Sequence, residues 1–279
     1  MATVLSISSQ VARGHVGLSA TQFALERLGH EVWSLPTILL SNHPGHARYA
    51  GEPVDAMALG RMLGALQDNG WLAQVDGVLT GYLPSAVHVV VAAELVTWVR
   101  SHAPEALVLC DPALGDDPKG VYVDPTAAEA IRSELLPLAD IAAPNRFELE
   151  WLTGHAVANE SEALVAAEVL GQPHLLATSI PGAGPDRLLN LHVGLDTASK
   201  TDVERRPQAP HGTGDLIAAL FFGHVLDGRD SARALALATA GVEAVLDASV
   251  DADELKLVQS QAAWTTVEPW PVLEVDAAA

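Results

Sequence analysis

The sequence predicts an α/β fold, in which helices cover both faces of one open, mostly parallel sheet. Apolar runs of strand length alternate with amphipathic segments of helix length along most of the chain. Two of the runs, VDGVLTGYL (75–83) and ALVLCDPAL (106–114), are almost continuously apolar, as expected for parallel strands that are buried on both faces. Strand–helix–strand repetition of this kind gives a single sheet with right-handed crossover connections.

The individual elements follow from the same pattern. A first helix, GLSATQFALERLG, ends at Gly29, and SAVHVVVAAELVTWVRSH forms a clear helix at 85–102. Pro36 bends the second strand or places it at the edge of the sheet, because proline cannot donate to a strand ladder. The sequence predicts strands at 4–9, 31–40, 75–83, 106–114, 140–145 and 174–180.

The pattern changes after residue 180. PGAGPDRLLNLHVG indicates a glycine-rich turn and a short strand, TASKTDVERRPQAP a polar strand and a loop, and two helices then complete the domain. The length fits one domain over residues 1–279, with a core at about 3–250. The segment 251–279 is expected to hold a C-terminal helix and an irregular tail.

Composition excludes several classes of function. The formal net charge of −20 argues against nucleic acid as a partner, because a phosphate backbone requires a basic face. The sequence shows neither a signal peptide nor an apolar run long enough to span a membrane. The single cysteine, Cys110, fits a reducing compartment. We therefore expect a cytoplasmic protein with no membrane partner.

Familiar nucleotide and metal motifs are missing from the sequence. No GK[ST] occurs, and GAGPDR (182–187) lacks the third glycine and the strand–helix context of a dinucleotide fingerprint. His43 and His46 lie three residues apart in a loop without a third ligand nearby, which argues against zinc. A P-loop NTPase, a Rossmann dehydrogenase and a zinc enzyme are thus disfavoured.

Polar residues follow the apolar runs where the strands of such a sheet present their ligand-binding ends. Asp111 and Asp116 follow one run, and Asn145 and Glu148 share a helix face after the next. The turn HGTGD (211–215) offers backbone N–H groups to an anion. Each feature also has a structural interpretation: Asp111 as a turn residue, Asn145 as an N-cap, and Asp215 as an acid in the first turn of a helix. Together they predict a site for nucleotide and Mg²⁺.

A series of segments in a fixed order resembles the pyridoxal kinases of the ribokinase-like superfamily. The segments are LSISSQVARGHVG, LSNHPGHARYAG, LTGYL, CDPALGD with GVYV, LADIAAPNRFELE, LLATS and HGTGD, and they cover roughly residues 3–250. The resemblance implies a three-layer sandwich, ATP and Mg²⁺, and phosphorylation of the 5′-hydroxymethyl group of pyridoxal. It also implies a homodimer.

The resemblance implies a role for each matching residue. Asp215 would be the general base, an acid of ordinary pKa suffices for that role, and Gly212, Thr213 and Gly214 would form the anion hole. The pyridoxal pocket would contain Ser9, His43, Tyr82 and Thr213, flanked by Tyr122. Asp111 and Glu148 would hold the metal. The nucleotide would contact Asp116, Asn145, Glu148, Thr178 and Ser179.

The sequence departs from the family pattern at two positions. Pro44 stands where the family has a threonine that contacts pyridoxal, which opens the choice among pyridoxal, pyridoxine and pyridoxamine. Ala143 replaces a threonine that contributes to a monovalent cation site. Arg205 or Arg206 could reach a phosphate or remain solvated. Two alternatives stay open: an enzyme like hydroxymethylpyrimidine kinase, and a vitamer-binding protein with weak turnover.

Overall fold

The computed structural model describes residues 1–275; positions 276–279 of the predicted tail lie outside the described residues. The strands are β1 (Thr3–Val11), β2 (Glu31–Leu40), β3 (Gly51–Pro53), β4 (Gly77–Thr80), β5 (Leu107–Cys110), β6 (Gly115–Asp116), β7 (Gly120–Val121), β8 (Ile141–Ala142), β9 (His174–Pro181), β10 (Arg187–Val193), β11 (Ala198–Glu204) and β12 (Leu273–Val275). The helices are α1 (Leu18–Arg27), α2 (Ala56–Asp68), α3 (Ala86–His102), α4 (Pro125–Ala130), α5 (Arg146–Thr153), α6 (Glu160–Leu170), α7 (Thr213–Leu226), α8 (Ser231–Ala248) and α9 (Gln261–Trp264).

One large sheet organises the molecule. Its strand order is β12-β11-β10-β9-β8-β5-β4-β1-β2-β3. The six strands from β9 to β2 run parallel to one another, whereas β3, β10, β11 and β12 are joined in antiparallel pairs. All six parallel strands therefore end at the same edge of the sheet.

Two hydrophobic cores cover the two faces of this sheet. One face packs against α2 to α6, through buried residues such as Leu59 and Val96. The other packs against α1, α7 and α8, through residues such as Leu25 and Phe222. The apolar run LIAALFF of α7 is buried throughout, because this helix packs between α1 and α8. The expected α/β sandwich with helices on both faces is confirmed.

Side-chain caps set the beginning of several helices. Asp55, Asn159 and Asp230 each accept a hydrogen bond from a backbone N–H in the first turn of α2, α6 and α8, respectively. Such bonds satisfy donors that have no partner within the helix. Helix α7 differs, because it begins at Gly212 without a side-chain cap.

Some elements differ from the sequence prediction. Helix α2 and the small hairpin β6–β7 were not among the predicted elements, and the first strand is longer than 4–9. The tail, expected to be irregular, contributes β12, which pairs with β11 through Leu273–Val275. Within residues 1–275, no helix combines the length and apolar character needed to cross a bilayer.

Candidate active site

The parallel strands bring the predicted residues to one edge of the sheet. Ser9 lies near the end of β1, at a shift in its register with β2. Tyr82 follows β4, Asp111 follows β5, and Asn145 follows β8 and pairs as an isolated bridge with Thr178 of β9. These residues are far apart in sequence and meet because parallel strands end together.

The turn before α7 presents backbone N–H groups at this edge. Gly212 adopts a φ of +104°, and a Cβ there would lie 1.9 Å from the carbonyl oxygen of His15. The space beside Gly214 is open, since a Cβ at that position would meet no atom within 4 Å. The start of an α-helix with unpaired N–H groups and a positive dipole end is suited to binding an anion.

Asp215 lies in the first turn of α7 with a raised pKa. Burial is the main cause and raises the pKa of its carboxyl to about 6, although hydrogen bonds from the backbone of Gly17 and of Asp215 itself oppose that shift. The sequence analysis required no more than an ordinary pKa for this role, and the structure raises the pKa of Asp215 above that value. A carboxylate with a pKa near 6 is a stronger base than a solvated aspartate.

Three carboxyl groups lie close enough together to influence one another's ionisation. Burial, followed by the charges of Glu148 and Asp215, raises the pKa of Asp111 well above its usual range. Burial also raises the pKa of Glu148 to about 7, against hydrogen bonds that lower it. Like charges held together in a desolvated site are unfavourable unless a cation neutralises them.

Glu148 is fixed by hydrogen bonds from two segments of the chain. Its Oε1 accepts from the N–H of Leu114 (2.6 Å), and its Oε2 accepts from the N–H of Asn145 (2.9 Å). The Asn145 side chain accepts from the N–H of Glu148 (3.0 Å), which completes a capping box at the start of α5. The Asn145 amide also donates to the carbonyl of Gly115 (2.9 Å). The predicted pair thus has the N-cap role and ties α5 to the loop after Asp111.

The acidic residues fit a magnesium ion that arrives with a nucleotide. Among the described residues, no group of three or more histidine, cysteine or acidic side chains forms a closed metal cage. Magnesium usually binds through one or two carboxylates, with waters and substrate phosphates completing its shell. Asp111 has the raised pKa of a carboxylate that lacks a cationic partner, whereas both oxygens of Glu148 already accept backbone hydrogen bonds.

All three tyrosines of the chain lie around this site. The Tyr82 and Tyr122 rings are 6.4 Å apart, centroid to centroid. Burial and the neighbouring Tyr49 raise the pKa of Tyr82, while burial and the acidic cluster raise the pKa of Tyr122 well above its usual range. The aromatic side chains form an apolar wall beside the carboxylates, as small-molecule sites commonly have.

The loop between β2 and β3 reaches the turn before α7. Its His43 ring lies 3.9 Å from the His211 ring, and His46 Nε2 lies 2.8 Å from Glu254 Oε1. Burial lowers the pKa of His43 to about 4, assisted by the nearby Lys119 and two other histidines. His43 and His46 therefore contact different residues, His211 and Glu254, respectively.

Comparison with known proteins agrees with this geometry. The family model for phosphomethylpyrimidine kinase matches residues 50–258. Pyridoxal kinase PdxY of Deinococcus radiodurans is 37% identical over 277 residues (92% of this chain and 91% of the relative), and that of Corynebacterium diphtheriae is 34% identical over 267 residues (93% and 94%). A Leishmania donovani pyridoxal kinase solved with ADP and pyridoxamine superposes with a TM-score of 0.93 at 27% identity, covering 99% of this chain and 100% of that one.

The chain belongs to the pyridoxal kinase family. The family and the enzyme class predicted from the sequence are thereby confirmed. The ribokinase-like fold is confirmed too, because an Entamoeba histolytica pyridoxal kinase superposes with a TM-score of 0.92 over 98% of this chain at 25% identity and 99% of that one.

The predicted nucleotide contacts of a pyridoxal kinase lie on one side of the site. The N–H of Thr178 donates to the carbonyl of Pro144 (3.1 Å), and Ser179 is exposed with a φ of +60°. Asp116 lies on the exposed hairpin β6–β7, where partial desolvation of its carboxyl raises its pKa. Arg206 pairs at 2.7 Å with Glu243 and with Asp247 of α8.

The structure also shows where the two expected departures from the family pattern, Pro44 and Ala143, lie. Pro44 lies in the loop beside His43, and Ala143 is buried with its N–H donating to the carbonyl of Cys110 (2.9 Å). The guanidinium of Arg206 is engaged by α8, whereas Arg205 is exposed.

Several residues of this pyridoxal kinase site were not found from the sequence. Gly17, Tyr49 and His211 lie within segments that resemble the family but were given no role, and Lys119 lies between two such segments. Gly17 and His211 can be recognised as site residues only once the loops that carry them are known to meet. Their contacts join residues that are far apart in the sequence: Gly17 lies beside Asp215, and His211 stacks on His43.

Proposed function

We propose that this chain transfers the γ-phosphoryl group of ATP to the 5′-hydroxyl of pyridoxal, with Asp215 as the general base. The observation that supports this most directly is the position of Asp215. Its carboxyl, with a pKa of about 6, lies in the same helical turn as the N–H groups of the Gly212–Gly214 anion hole. An alcohol and a phosphate that meet at this turn would find a proton acceptor and anion donors together.

The reaction class predicted from the sequence, ATP-dependent phosphorylation of a B6 vitamer, is confirmed by the curated relatives and by solved relatives in complex with ADP and pyridoxamine or ADP and pyridoxine. The roles of individual residues are our proposal. So is the choice of pyridoxal over the other two vitamers, which the change to Pro44 affects.

Each segment of the site has a distinct part in the proposed reaction. Ser9, Tyr82 and His43 hold the pyridine ring, with Thr213 beside them, and Tyr122 flanks the ring pocket. Asp215 accepts the proton of the 5′-hydroxyl as it attacks. The N–H groups of the glycine turn stabilise the negative charge on the transferring phosphoryl group. Thr178, Ser179, Asp116 and Asn145 lie along the nucleotide.

Mg²⁺ completes the proposed site. Asp111 would hold the ion, which would supply positive charge to offset that of the phosphoryl oxygens. Glu148 contributes its negative charge and orients the loop after Asp111 through the N–H of Leu114. A monovalent cation is a weaker expectation, since Ala143 offers no side-chain oxygen to it.

The decisive experiment measures pyridoxal 5′-phosphate formation from pyridoxal and Mg-ATP, by absorbance, for the wild type and Asp215→Asn. We expect kcat to fall by about 10²- to 10⁴-fold, the usual contribution of a general base. Asp230→Asn is the matched control, because Asp230 is also an acid at a helix start but caps α8. Equal rates for Asp215→Asn and the wild type would refute the assignment.

A second candidate substrate is a hydroxymethylpyrimidine, an alternative that the sequence left open; the matched family model is named for the related phosphomethylpyrimidine kinase. Such a molecule also presents a hydroxymethyl group on a nitrogen ring, so the same base and anion hole would serve. Competition between the pyrimidine and pyridoxal in the same assay separates the two. Turnover of the pyrimidine alone would leave the mechanism intact and make the proposed substrate wrong.

We also propose that the enzyme works in the cytoplasm as a homodimer. Exposed apolar side chains on three elements that contact one another support dimerisation through this surface: Leu39 of β2, Met57 of α2, and Val87 and Val90 of α3. Exposed apolar patches on soluble proteins commonly mark interaction sites. Sedimentation of the wild type and of Met57→Glu tests this, since a dimer through this surface would dissociate when charges are buried in it.

A further inference from the structure

A contact between two rings, away from the reacting atoms, joins the two halves of the site. The His43 and His211 rings lie 3.9 Å apart, centroid to centroid, with 30° between their planes. His43 belongs to the loop of residues 41–50, whereas His211 directly precedes Gly212. The pair thus connects the loop assigned to the vitamer with the turn assigned to the phosphate.

Gly45 shows how closely the loop fits against this ring. A Cβ at Gly45 would lie 2.6 Å from Nε2 of His211 and 2.8 Å from Nδ1 of His43. The N–H of Gly45 donates to Nδ1 of His43 (3.0 Å), which fixes that nitrogen as an acceptor. Any larger residue at position 45 would push the loop away from His211, so the loop backbone is shaped to receive the imidazole.

A second fastening holds the other side of the loop, outside the site. His46 contacts Glu254 at 2.8 Å, and Glu254 also accepts from Arg13 at 3.0 Å. This fastening joins the loop to the segment after α8 rather than to the anion-binding turn. Of these two fastenings, the stack of His43 on His211 is the one whose loss would act on the vitamer and the phosphate turn together.

We propose that His211 is a positioning residue that holds the 41–50 loop closed over the anion-binding turn through its stack with His43. The inference rests on the proposed function, which assigns the vitamer to the loop and the phosphate to the turn. Closure then couples the two ligands: a vitamer under the loop and a nucleotide at the turn each favour the closed arrangement. Each ligand therefore raises the affinity for the other.

Charged groups from three segments face the two rings. They are His46 on the loop, Asp116 and Lys119 on the hairpin, and Glu254 after α8. Burial lowers the pKa of both rings, to about 4 for His43. The rings stack in the neutral state. In an open loop the two histidines would regain their ordinary pKa of about 6.5. Below that pH the open state binds protons that the closed state does not, so acid favours opening.

The test compares His211→Ala with His211→Phe, which restores a stacking ring without a titratable group. For His211→Ala we expect the KM for pyridoxal to rise about two- to tenfold, corresponding to the loss of one aromatic pair, with kcat within about twofold. His211→Phe should recover the wild-type KM at neutral pH and show a smaller rise in acid, because only His43 of the two rings still titrates. His102→Ala removes a stack of the same 3.9 Å separation, on Trp98 at the far end of α3, and should change neither constant.

Two binding measurements make the outcome independent of turnover. Pyridoxal affinity should increase in the presence of a nonhydrolysable ATP analogue for the wild type and His211→Phe, but not for His211→Ala. Hydrogen exchange of the 41–50 amides should be faster in His211→Ala alone. Unchanged exchange and unchanged coupling would overturn the inference while the kinase proposal stands. If the wild type phosphorylates no vitamer but His211→Ala still exchanges faster than the wild type, the proposed substrate would be wrong and the positioning role of His211 would stand.

Discussion

The backbone N–H of Gly17 lies beside the carboxyl of Asp215 and lowers its pKa, against the effect of burial. Gly17 also lies against Ser9, since a Cβ at position 17 would be 2.3 Å from both the carbonyl oxygen and the Oγ of Ser9. Its φ of +53° and ψ of −134° place it outside the conformations that side chains tolerate well. One glycine at the start of α1 therefore holds the proposed base next to a proposed substrate contact.

Replacement of Gly17 by alanine should damage stability and activity together. The added Cβ would meet Ser9 and strain the backbone, so we expect the free energy of unfolding to fall by about 1–3 kcal/mol. The shift of its N–H should also lower kcat for pyridoxal. Gly29→Ala is the control, because Gly29 has a φ of +94° but open space around it. Equal kcat values for both variants would contradict the proposed link to Asp215.

The rate should depend on pH through the proposed base. A pKa of about 6 for Asp215 means that the carboxylate dominates above pH 6 and the acid below it. We expect kcat/KM for pyridoxal to be level above about pH 7 and to fall about tenfold per pH unit well below 6, because a protonated carboxyl cannot accept the hydroxyl proton. A pH–rate profile at saturating Mg-ATP measures this. A profile that stays level down to pH 4.5 would show that Asp215 is not the base.

The sequence could predict those parts of the site that depend on local spacing. Asn145 and Glu148 lie three residues apart, which is the spacing of a capping box. The two interpretations made from the sequence, an N-cap and a site residue, are therefore compatible at Asn145. The ends of the parallel strands could be predicted in the same way, because apolar runs mark buried strands. Hence most predicted site residues lie at one edge of the sheet.

The remaining parts depend on contacts between distant loops, which leave no periodic signal. His211 is adjacent to the predicted anion turn, but nothing in its neighbours indicates a stack with His43. The pKa of Asp215 could not be predicted either, since it depends on burial by α1 and on the N–H of Gly17. Similarly, the sequence of the tail carries no strand signal of its own, because β12 forms only by pairing with β11.

The capping box of α5 should have a functional effect that an ordinary helix cap lacks. Asn145→Ala removes an N-cap and should lower the free energy of unfolding by about 1 kcal/mol. It should also raise the KM for ATP, because the Asn145 amide holds the carbonyl of Gly115 in the loop near Asp111. Steady-state kinetics and denaturant unfolding measure the two effects.

The chain provides a matched control for this variant in α6. Asn159 caps that helix in the same way, accepting from the N–H of Glu162 at 3.0 Å. Asn159→Ala should thus cost a similar free energy of unfolding with no change in the KM for ATP. If both variants had the same KM as the wild type, the box would serve folding alone.

The acidic cluster should lower the stability of the ligand-free protein at neutral and higher pH. Carboxyl groups whose pKa is raised by folding contribute stability that is complete below their unfolded pKa and is lost as pH rises through the folded pKa. For Glu148 and Asp215 that loss extends up to about 7 and 6, respectively, and Asp111 is shifted in the same direction. Removing one of these charges should therefore stabilise the fold at pH 8.

Asp111→Asn tests this, since an asparagine oxygen can still accept from the N–H of Ala113, which lies 3.2 Å from Asp111 Oδ1. We expect the free energy of unfolding to be higher than that of the wild type at pH 8, with the difference shrinking toward pH 5, because the raised pKa of Asp111 makes its charge unfavourable in the fold. Mg²⁺ with ADP should stabilise the wild type more than the variant, and kinase activity should fall. A variant that is less stable than the wild type at every pH would mean that the Asp111 carboxylate stabilises the fold through its hydrogen bonds, and the proposed cost of its charge would be wrong.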